Sequence, residues 1–545
     1  MKNWSDKNRS LLFFAGLICL YIISVLFNLG QLRFRAEEAR RAIVALEMLQ
    51  TGDYIQLHTL GWDYFNKPPV FAWILTGFIK LCGSASEFVL RLPSFIFLLM
   101  LGVCQYWIAK KYLNKQVAAL SVFFMLTSAD LYFYTLSNGA EIDIFYSFIV
   151  YLQAVFIFYF YEKRKYALLF VLSWSLCAVG FLTKGFPSLV FQGLTLIALC
   201  IYARSVRLIF KWQHLLGILV FFILIGIYFY AYSQNQSLKV LLINLLNESI
   251  LKSAVGEESS GKLHQVFSYA LVLLRVLAPW CFILLVLFMK RNYKALDNPF
   301  VKFSFLFILL NIGVYWITAA QKTRYIIMFI PFFTTIISYV YWQYEKNNTG
   351  RFNQYLKYAG LLFVLLLAGL LALPFFIDVA WWKVLGLAMV LIGFLFLFYR
   401  TRQSRIWLFI TGIVLIRLIY AATGIPEKAK REYDYEGKIK AMALKNNNQQ
   451  VYYWAQPNTL NLDIVVGDTL YKWKDELVKV LPGISYPVSY YFYKATGKLV
   501  KFDTILQHDK MYISNRPHLE SMAIEPVDSF YDDMQNNYLI MFKAK

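Results

Sequence analysis

Histidine is scarce in this chain, cysteine shows no pairing pattern, and charge is thin. The five histidines (58, 214, 264, 508 and 518) form neither an HxH nor an HExxH pattern, so no motif argues for a metal site. Of the six cysteines, Cys19, Cys104, Cys177, Cys200 and Cys281 fall inside apolar runs and Cys82 at the end of one. None makes a CxxC pair, so neither a disulfide framework nor a zinc knuckle is implied. There is no P-loop and no GxGxxG, so nothing argues for nucleotide binding. No internal repeat of 20–50 residues appears, which weighs against a solenoid or an inverted-repeat transporter. Charged residues make up only 16% of the 545, less than a soluble protein of this size carries.

What fills the chain is apolar surface: 59% hydrophobic residues, 19% aromatic. That composition reads as a polytopic α-helical membrane protein. Lys and Arg number 54 against 32 Asp and Glu, a net charge of +22. No basic, aromatic-interleaved module stands apart from the apolar runs, so a nucleic-acid partner is not expected. The excess is expected instead in cytoplasmic loops facing anionic lipid headgroups.

A crossing helix needs about 20 largely apolar residues, and by that criterion about thirteen runs qualify. They lie near 10–29, 87–108, 116–134, 142–161, 167–183, 186–203, 208–232, 265–289, 302–319, 324–342, 357–377, 381–399 and 406–422. The first follows Lys2, Lys7 and Arg9 and lacks a small-residue cleavage site, so it reads as a retained helix. With the N-terminus in the cytoplasm, every loop assigned inside is basic: Lys110, Lys111 and Lys115; Lys163, Arg164 and Lys165; Arg204, Arg207 and Lys211; Lys290, Arg291 and Lys294; Lys346, Arg351 and Lys357; Arg400, Arg402 and Arg405. That is the positive-inside pattern. It places the segment 30–86, the loop 233–264 and everything after Thr423 outside. Residues 1–423 then form a membrane domain and 424–545 an external soluble domain.

The stretches Ala36 to Leu49 and Val70 to Cys82 are too short to cross and read as interfacial helices. The tail reads as mixed α/β, with strands at Val451–Trp454, Asp463–Val466, Val488–Phe492, Met511–Ser514 and Tyr538–Phe542 and a helix at Lys472–Val480.

Charge gathers where topology does not ask for it. Glu37, Glu38, Arg40, Arg41 and Lys67 crowd into 33–93, and Lys184, Lys322 and Arg324 sit on outer turns. A carboxylate within hydrogen-bond reach of a hydroxyl acts as general base, though Glu37 and Glu38 also suit a helix start. Several outer cations together suit an anion that gains charge during reaction, although each alone also suits a lipid headgroup. Asp143, entering a membrane helix in SNGAEIDIF, is a functional candidate or, with Glu141, a first-turn residue. His264 precedes the eighth run, near Arg275 and Pro279-Trp280.

These residues carry a resemblance. The first outer segment of the bacterial aminoarabinose transferase family runs roughly D-E-x-R-Y, E-M-x-x-[ST]-G-D-W, Y-F-x-K-P-P, G, R-x-P. The chain is similar to it in Glu37-Glu38-Ala39-Arg40-Arg41, Glu47-Met48, Thr51-Gly52-Asp53-Tyr54, Tyr64-Phe65-Asn66-Lys67-Pro68-Pro69, Gly83 and Arg91-Leu92-Pro93. Asp143, Thr183-Lys184-Gly185 with Pro187, Pro279-Trp280, and Lys322-Thr323-Arg324-Tyr325 with Pro331 extend it. That family modifies lipid A and is related to the protein O-mannosyltransferases.

The resemblance implies a GT-C fold and an integral-membrane glycosyltransferase. It would move a sugar from a polyprenyl (undecaprenyl) phosphate carrier to lipid A or another envelope glycolipid, on the periplasmic side of the bacterial inner membrane. A protein O-glycosyltransferase of the same fold and a lipid-linked saccharide flippase are the alternatives. Glu37, where the family has Asp, is implied as the catalytic carboxylate, with Asp143 and Glu38 beside it. Lys67, Lys322, Arg324, Tyr325, Arg40 and Lys184 are implied for the donor phosphate, and Tyr64 and His264 are further candidates. No cofactor follows from any motif; a divalent metal, open in principle, has none behind it. Arg41 stands where the family has Tyr.

Overall fold

The computed structural model describes all residues except 1, 135–138, 254–261, 289–293, 317–322, 348–350, 402–404, 447–448, 455–470, 474–475, 479–484, 504, 516–518, 520–522, 533–535 and 545. Among the described residues, eight helices are long and apolar enough to cross a membrane: Glu87–Tyr112, Ile142–Glu162, Tyr166–Lys184, Trp212–Ser233, Thr323–Lys346, Phe352–Phe375, Trp381–Arg400 and Arg405–Leu444. The other five expected runs occur as shorter apolar helices: Leu12–Leu26, Lys115–Leu126, Pro187–Ala203, Ser268–Leu277 and Pro299–Tyr315. The run expected over 116–134 stops at Leu126 and is followed by a π-helical turn, Asp130–Tyr134.

Both helices expected in the first outer segment are present. Ala36–Thr51 opens with Glu37 and Glu38 in its first turn, where acidic groups suit the helix dipole. The Arg35 amide donates to Glu38 Oε2 at 3.3 Å. The helix stops at Gly52, whose φ of +72° lets its N–H donate a hydrogen bond to the Met48 carbonyl, a conformation that favours glycine. Asp53 then accepts from the Ile55 and Gln56 amides, both at 2.9 Å. The chain next forms a short hairpin, β1 (His58–Thr59) with β2 (Trp62–Asp63), and starts Val70–Cys82 directly after the proline pair. Proline at a helix start loses no hydrogen bond the helix would have made.

A buried ion pair ties this segment to the bundle. Arg91 Nε donates to Glu38 Oε1 at 2.9 Å, with side chains 0% and 2% exposed. Arg91 also donates to the carbonyls of Leu29, Leu32 and Arg33, and Glu38 Oε1 accepts from the Ala140 amide. One pair thus holds the chain after the first helix, the Ala36–Thr51 helix and the start of Ile142–Glu162.

The C-terminal region begins with the helix Gly424–Leu444 and carries a five-stranded sheet in the order β6-β3-β7-β9-β8. These strands are β3 (Val451–Trp454), β6 (Lys501–Asp503), β7 (Met511–Asn515), β8 (Ile524–Asp532) and β9 (Asn537–Ala544), while β4 (Tyr471–Trp473) and β5 (Glu476–Val478) form a separate antiparallel pair. β3 runs parallel to β6 and β7, and β9 antiparallel to β7 and β8.

Two expectations reverse. The strand expected at Val488–Phe492 is part of the helix Tyr486–Thr496. Its valine, tyrosine and phenylalanine content suits a strand, but Pro487 at the start and Gly497 at φ +72° at the end bound a helix, and burial against Ala36–Thr51 settles it. Of the helix expected at Lys472–Val480, the described residues belong to the β4–β5 pair, and aromatic residues such as Tyr471 and Trp473 favour strands. The strand expected at Asp463–Val466 lies outside the described residues.

The C-terminal region and the first outer segment are locked together at one end of the bundle. The Phe34 amide donates to Tyr491 Oη at 2.9 Å, and Tyr490 Oη to the Ala85 carbonyl at 2.8 Å. Lys494 Nζ lies 2.9 Å from both Glu87 and Glu436. The Phe502 amide donates to the Leu60 carbonyl, and Trp62 meets the Phe502 ring edge-on at 5.0 Å.

Candidate functional site

Three carboxylates and their cations meet at that same end. Glu37 comes from the first turn of Ala36–Thr51, Glu141 from the residue before Ile142–Glu162, and Asp143 from that helix's first turn. Arg324 reaches all three: Nη2 is 3.7 Å from Glu37 Oε1, Nη1 4.0 Å from Glu141 Oε1, and Nε 3.6 Å from Asp143 Oδ2. Lys184 pairs closely with Asp143. It sits on the last residue of its helix because Gly185, at φ +78°, ends the helix there and Pro187 opens the next. The T-K-G-x-P pattern therefore delivers an ammonium to a helix end.

Exposure separates the three acids. The Glu37 side chain is 38% exposed, Glu141 15% and Asp143 3%. Glu37 is thus the one an incoming molecule meets. It is held from its own helix by Arg40 at 2.7 Å and Arg41 at 3.8 Å. Arg40 also lies 5.6 Å from the ring centre of Tyr486, so the C-terminal region forms part of the wall. Burial pushes the Glu141 carboxyl above its usual range; Arg41 pulls it back, Asp143 raises it further and Arg324 lowers it.

Tyr325 stacks on Tyr315, ring centres 5.0 Å apart, with the Lys184 ammonium 5.3 Å from its ring centre. Lys67 interacts electrostatically with both Lys184 and Tyr325. Its Nζ donates to the Asn66 carbonyl at 2.8 Å. Lys67 and Tyr64 also line a tight pocket of about 10 Å³, room for about one water, whose remaining wall includes Phe181, Tyr228, Phe229 and Tyr232. A mostly aromatic pocket thus carries one cation, Lys67, in its wall.

The structure therefore gathers Glu37, Asp143, Arg40, Lys184, Arg324 and Tyr325, with Lys67 and Tyr64 at the adjoining cavity. Glu38 is set apart: its carboxylate is buried on Arg91 and on the Ala140 amide. Lys322 lies outside the described residues. His264 lies in the helix Lys262–Leu277, and its side chain is likewise outside the described part. Trp280 is a packing residue, stacked on Phe124 at 4.0 Å and donating to Thr127 Oγ1. Among the described residues, no three His, Cys, Asp or Glu side chains gather as metal ligands.

Read from the sequence, Arg41 has no site role and Glu141 only that of a helix-start residue. Arg41 Nη1 donates to the Ala140 carbonyl at 2.6 Å and lies 3.3 Å from Glu141 Oε2. The signal was present: Glu141 stands two residues before Asp143, and Arg41 replaces a family tyrosine.

Comparison with known proteins agrees with this architecture. Residues 66–229 match the family model described as dolichyl-phosphate-mannose-protein mannosyltransferase. An uncharacterized protein of Aquifex aeolicus is 26% identical over 299 residues, 53% of this chain and 57% of that protein. The undecaprenyl phosphate-alpha-4-amino-4-deoxy-L-arabinose arabinosyl transferase of Edwardsiella ictaluri is 27% identical over 205 residues, 36% of either chain. The chain thus spans between about a third and somewhat over half the length of these curated relatives. Crystal structures of ArnT from Cupriavidus metallidurans superpose across 98% of both chains at 15% identity. The TM-score is 0.68 for the apo state and 0.66 for the form bound to undecaprenyl phosphate. The fold is therefore GT-C: a mostly helical membrane domain followed by a strand-containing C-terminal region.

Proposed function

We propose that the protein is an inverting glycosyltransferase that takes a sugar from a polyprenyl-phosphate carrier and transfers it to an envelope glycolipid. The observation that carries this reading is the cluster in which Arg324 binds Glu37, Glu141 and Asp143 together, beside a cavity with Lys67 in its wall.

In this reading the donor phosphate meets Lys67 at the mouth of the aromatic pocket. The acceptor oxygen attacks the anomeric carbon as its proton passes to Glu37. The bond from that carbon to the phosphate oxygen breaks, and its electron pair leaves with the phosphate. A phosphate acceptor would arrive ionised and would need Glu37 only for orientation. The donor is a phosphodiester with one negative charge, and the departing polyprenyl phosphate is a monoester carrying nearly two. The named cations (Arg40, Arg41, Lys67, Lys184, Arg324) outnumber the named carboxylates (Glu37, Glu141, Asp143) by two. That surplus favours the leaving group over the donor, which is what accelerates a reaction. A phosphate leaving group needs no general acid.

The two helices that bring Asp143 and Lys184 to the site carry Lys163 and Lys165 at their far ends. Basic residues mark the cytoplasmic side, which supports an outward-facing, periplasmic site in a bacterial inner membrane. A hydroxyl on a protein is a second acceptor reading, supported by the match to the protein mannosyltransferase model over residues 66–229.

Incubating the purified full chain with radiolabelled polyprenyl-phosphate sugars and glycolipid, glycan or protein acceptors tests the reading. Label moving onto an acceptor, and lost in Glu37→Gln, supports it. Label that only changes leaflet in a vesicle identifies a flippase instead.

A further inference from the structure

We propose that Arg41 and Glu141 form a clamp that allows a glutamate, rather than an aspartate, to serve at position 37. The proposal rests on the transferase reading above and assigns two positioning residues to it.

Glutamate carries one more rotatable bond than aspartate. Immobilising that torsion costs entropy, and a carboxylate that swings away from the attacking oxygen loses the benefit of alignment. Glu37 is partly open at 38% exposure, so packing alone does not fix it. Arg41 supplies a fixed point. Its guanidinium is 11% exposed and spans from Ala36–Thr51 to the start of Ile142–Glu162. Nη1 bonds the Ala140 carbonyl at 2.6 Å and lies 3.3 Å from Glu141 Oε2, while Nη2 lies 3.8 Å from Glu37 Oε2.

The far side of the clamp is rigid. The Glu141 amide donates to Ser94 Oγ at 2.8 Å, and Ser94 Oγ donates back to the Glu141 carbonyl at 3.3 Å. The Ala140 amide is held by the buried Glu38. Glu141 then presents one oxygen to Arg41 and the other to Arg324. Arg41 and Arg324, which reach Glu37 alongside Arg40, are thereby anchored on one carboxylate at the start of a different helix.

Tyrosine at position 41, as in the family pattern, has no fork and no charge. It offers one hydroxyl donor and cannot serve Ala140, Glu141 and Glu37 together. The two departures from the pattern, Glu37 and Arg41, thus form an ion pair with each other at 3.8 Å.

The test is a double-mutant cycle in the full-length protein, comparing Glu37→Asp, Arg41→Tyr and the two combined. Arg41→Tyr should lower kcat about 30-fold or more while donor KM stays within about threefold. The acidic limb of its pH–rate profile should move to higher pH, because a cation beside the base has gone. The combined variant should recover at least about tenfold over either single one. Arg41→Lys, which keeps the charge but not the fork, should fall between. Glu141→Gln should reproduce the kcat-only loss and covers the case in which Arg41→Tyr fails to insert. An Arg41→Tyr enzyme within twofold of the parent, or losses that simply multiply in the combined variant, would overturn the clamp. Absence of transfer by the unsubstituted protein would instead strike the transferase reading, before any variant is compared.

Discussion

Arg324 stands between Glu37 and Asp143, its Nη2 3.7 Å from one carboxylate and its Nε 3.6 Å from the other. It thus bridges the most exposed and the most buried of the three acids. Its planar fork makes this possible, because separate N–H groups point in separate directions. Arg324→Ala should therefore cost about 100- to 1000-fold in kcat, the scale of losing one transition-state donor. Arg324→Lys should recover only part of that. Full activity in Arg324→Ala, measured by label transfer, would remove the residue from the chemistry.

Lys67 should behave differently. It lies in the wall of the aromatic pocket, beside Tyr64 and Phe181. Its loss should act first on capture of the donor phosphate, raising donor KM about tenfold, as expected for an interaction already made in the ground state. Binding of undecaprenyl phosphate to Lys67→Ala, followed by intrinsic fluorescence, should weaken in step. An unchanged KM with a collapsed kcat would place Lys67 on the leaving group alone.

Glu38 and Arg91 predict a stability effect. Both are buried, and removing one partner of such a pair strands the other at a cost of about 3–5 kcal/mol. Arg91→Met should be the worse of the two, since it also deprives the carbonyls of Leu29, Leu32 and Arg33 of a donor. Thermal unfolding in detergent should show both variants well below the parent. A Glu38→Gln protein as stable as the parent but inactive would instead bring Glu38 into the reaction.

Much of this was legible in the residues, and the reasons are specific. The apolar runs and the charge alternation outline the helices because bilayer thickness and headgroup charge act on length and composition directly. Val70–Cys82 is readable because a proline pair and Gly83 bracket it. The motif of residues 37–93 is mostly architectural: Gly52 and Asp53 end a helix, Arg91 and Glu38 brace a loop, and few of its members reach the cluster. Adjacent Glu37 and Glu38 look alike in sequence, yet one faces the site and the other Arg91, because neighbouring positions on a helix point about 100° apart. Arg41 and Glu141 meet across 100 positions of chain, and no local pattern announces such a contact. The reversal at Val488–Phe492 has the same origin, since docking onto another helix outweighs intrinsic preference.

Glu47 gives the last prediction, on pH. Its carboxyl is 5% exposed, with Oε1 accepting from the Gly61 amide at 3.0 Å. Burial raises it from 4.5 to about 7, against the opposing pull of the Gly61 amide and of His58. Between these values the folded protein keeps a proton that the unfolded chain has lost, so stability falls as pH rises from about 4.5 to about 7 and is flat above. The ceiling on this loss is about 3 kcal/mol, from 1.36 kcal/mol per unit. The neighbouring His58 is also raised, chiefly by its hydrogen bond to Asp63. The stabilisation it contributes is full below pH 6.5 and is likewise lost as pH climbs through its folded-state value. Both groups sit on the helix and hairpin that meet the C-terminal region through Leu60 and Trp62, so that contact should loosen as pH rises from about 4.5 to neutrality. Glu47→Gln keeps the acceptor for Gly61 and removes the titration. Its melting temperature should match the parent at pH 5 and exceed it by several degrees at pH 8, by about 2–4 °C per kcal/mol. A gap between the two proteins that stays constant from pH 5 to pH 8 would show that Glu47 does not titrate in this range.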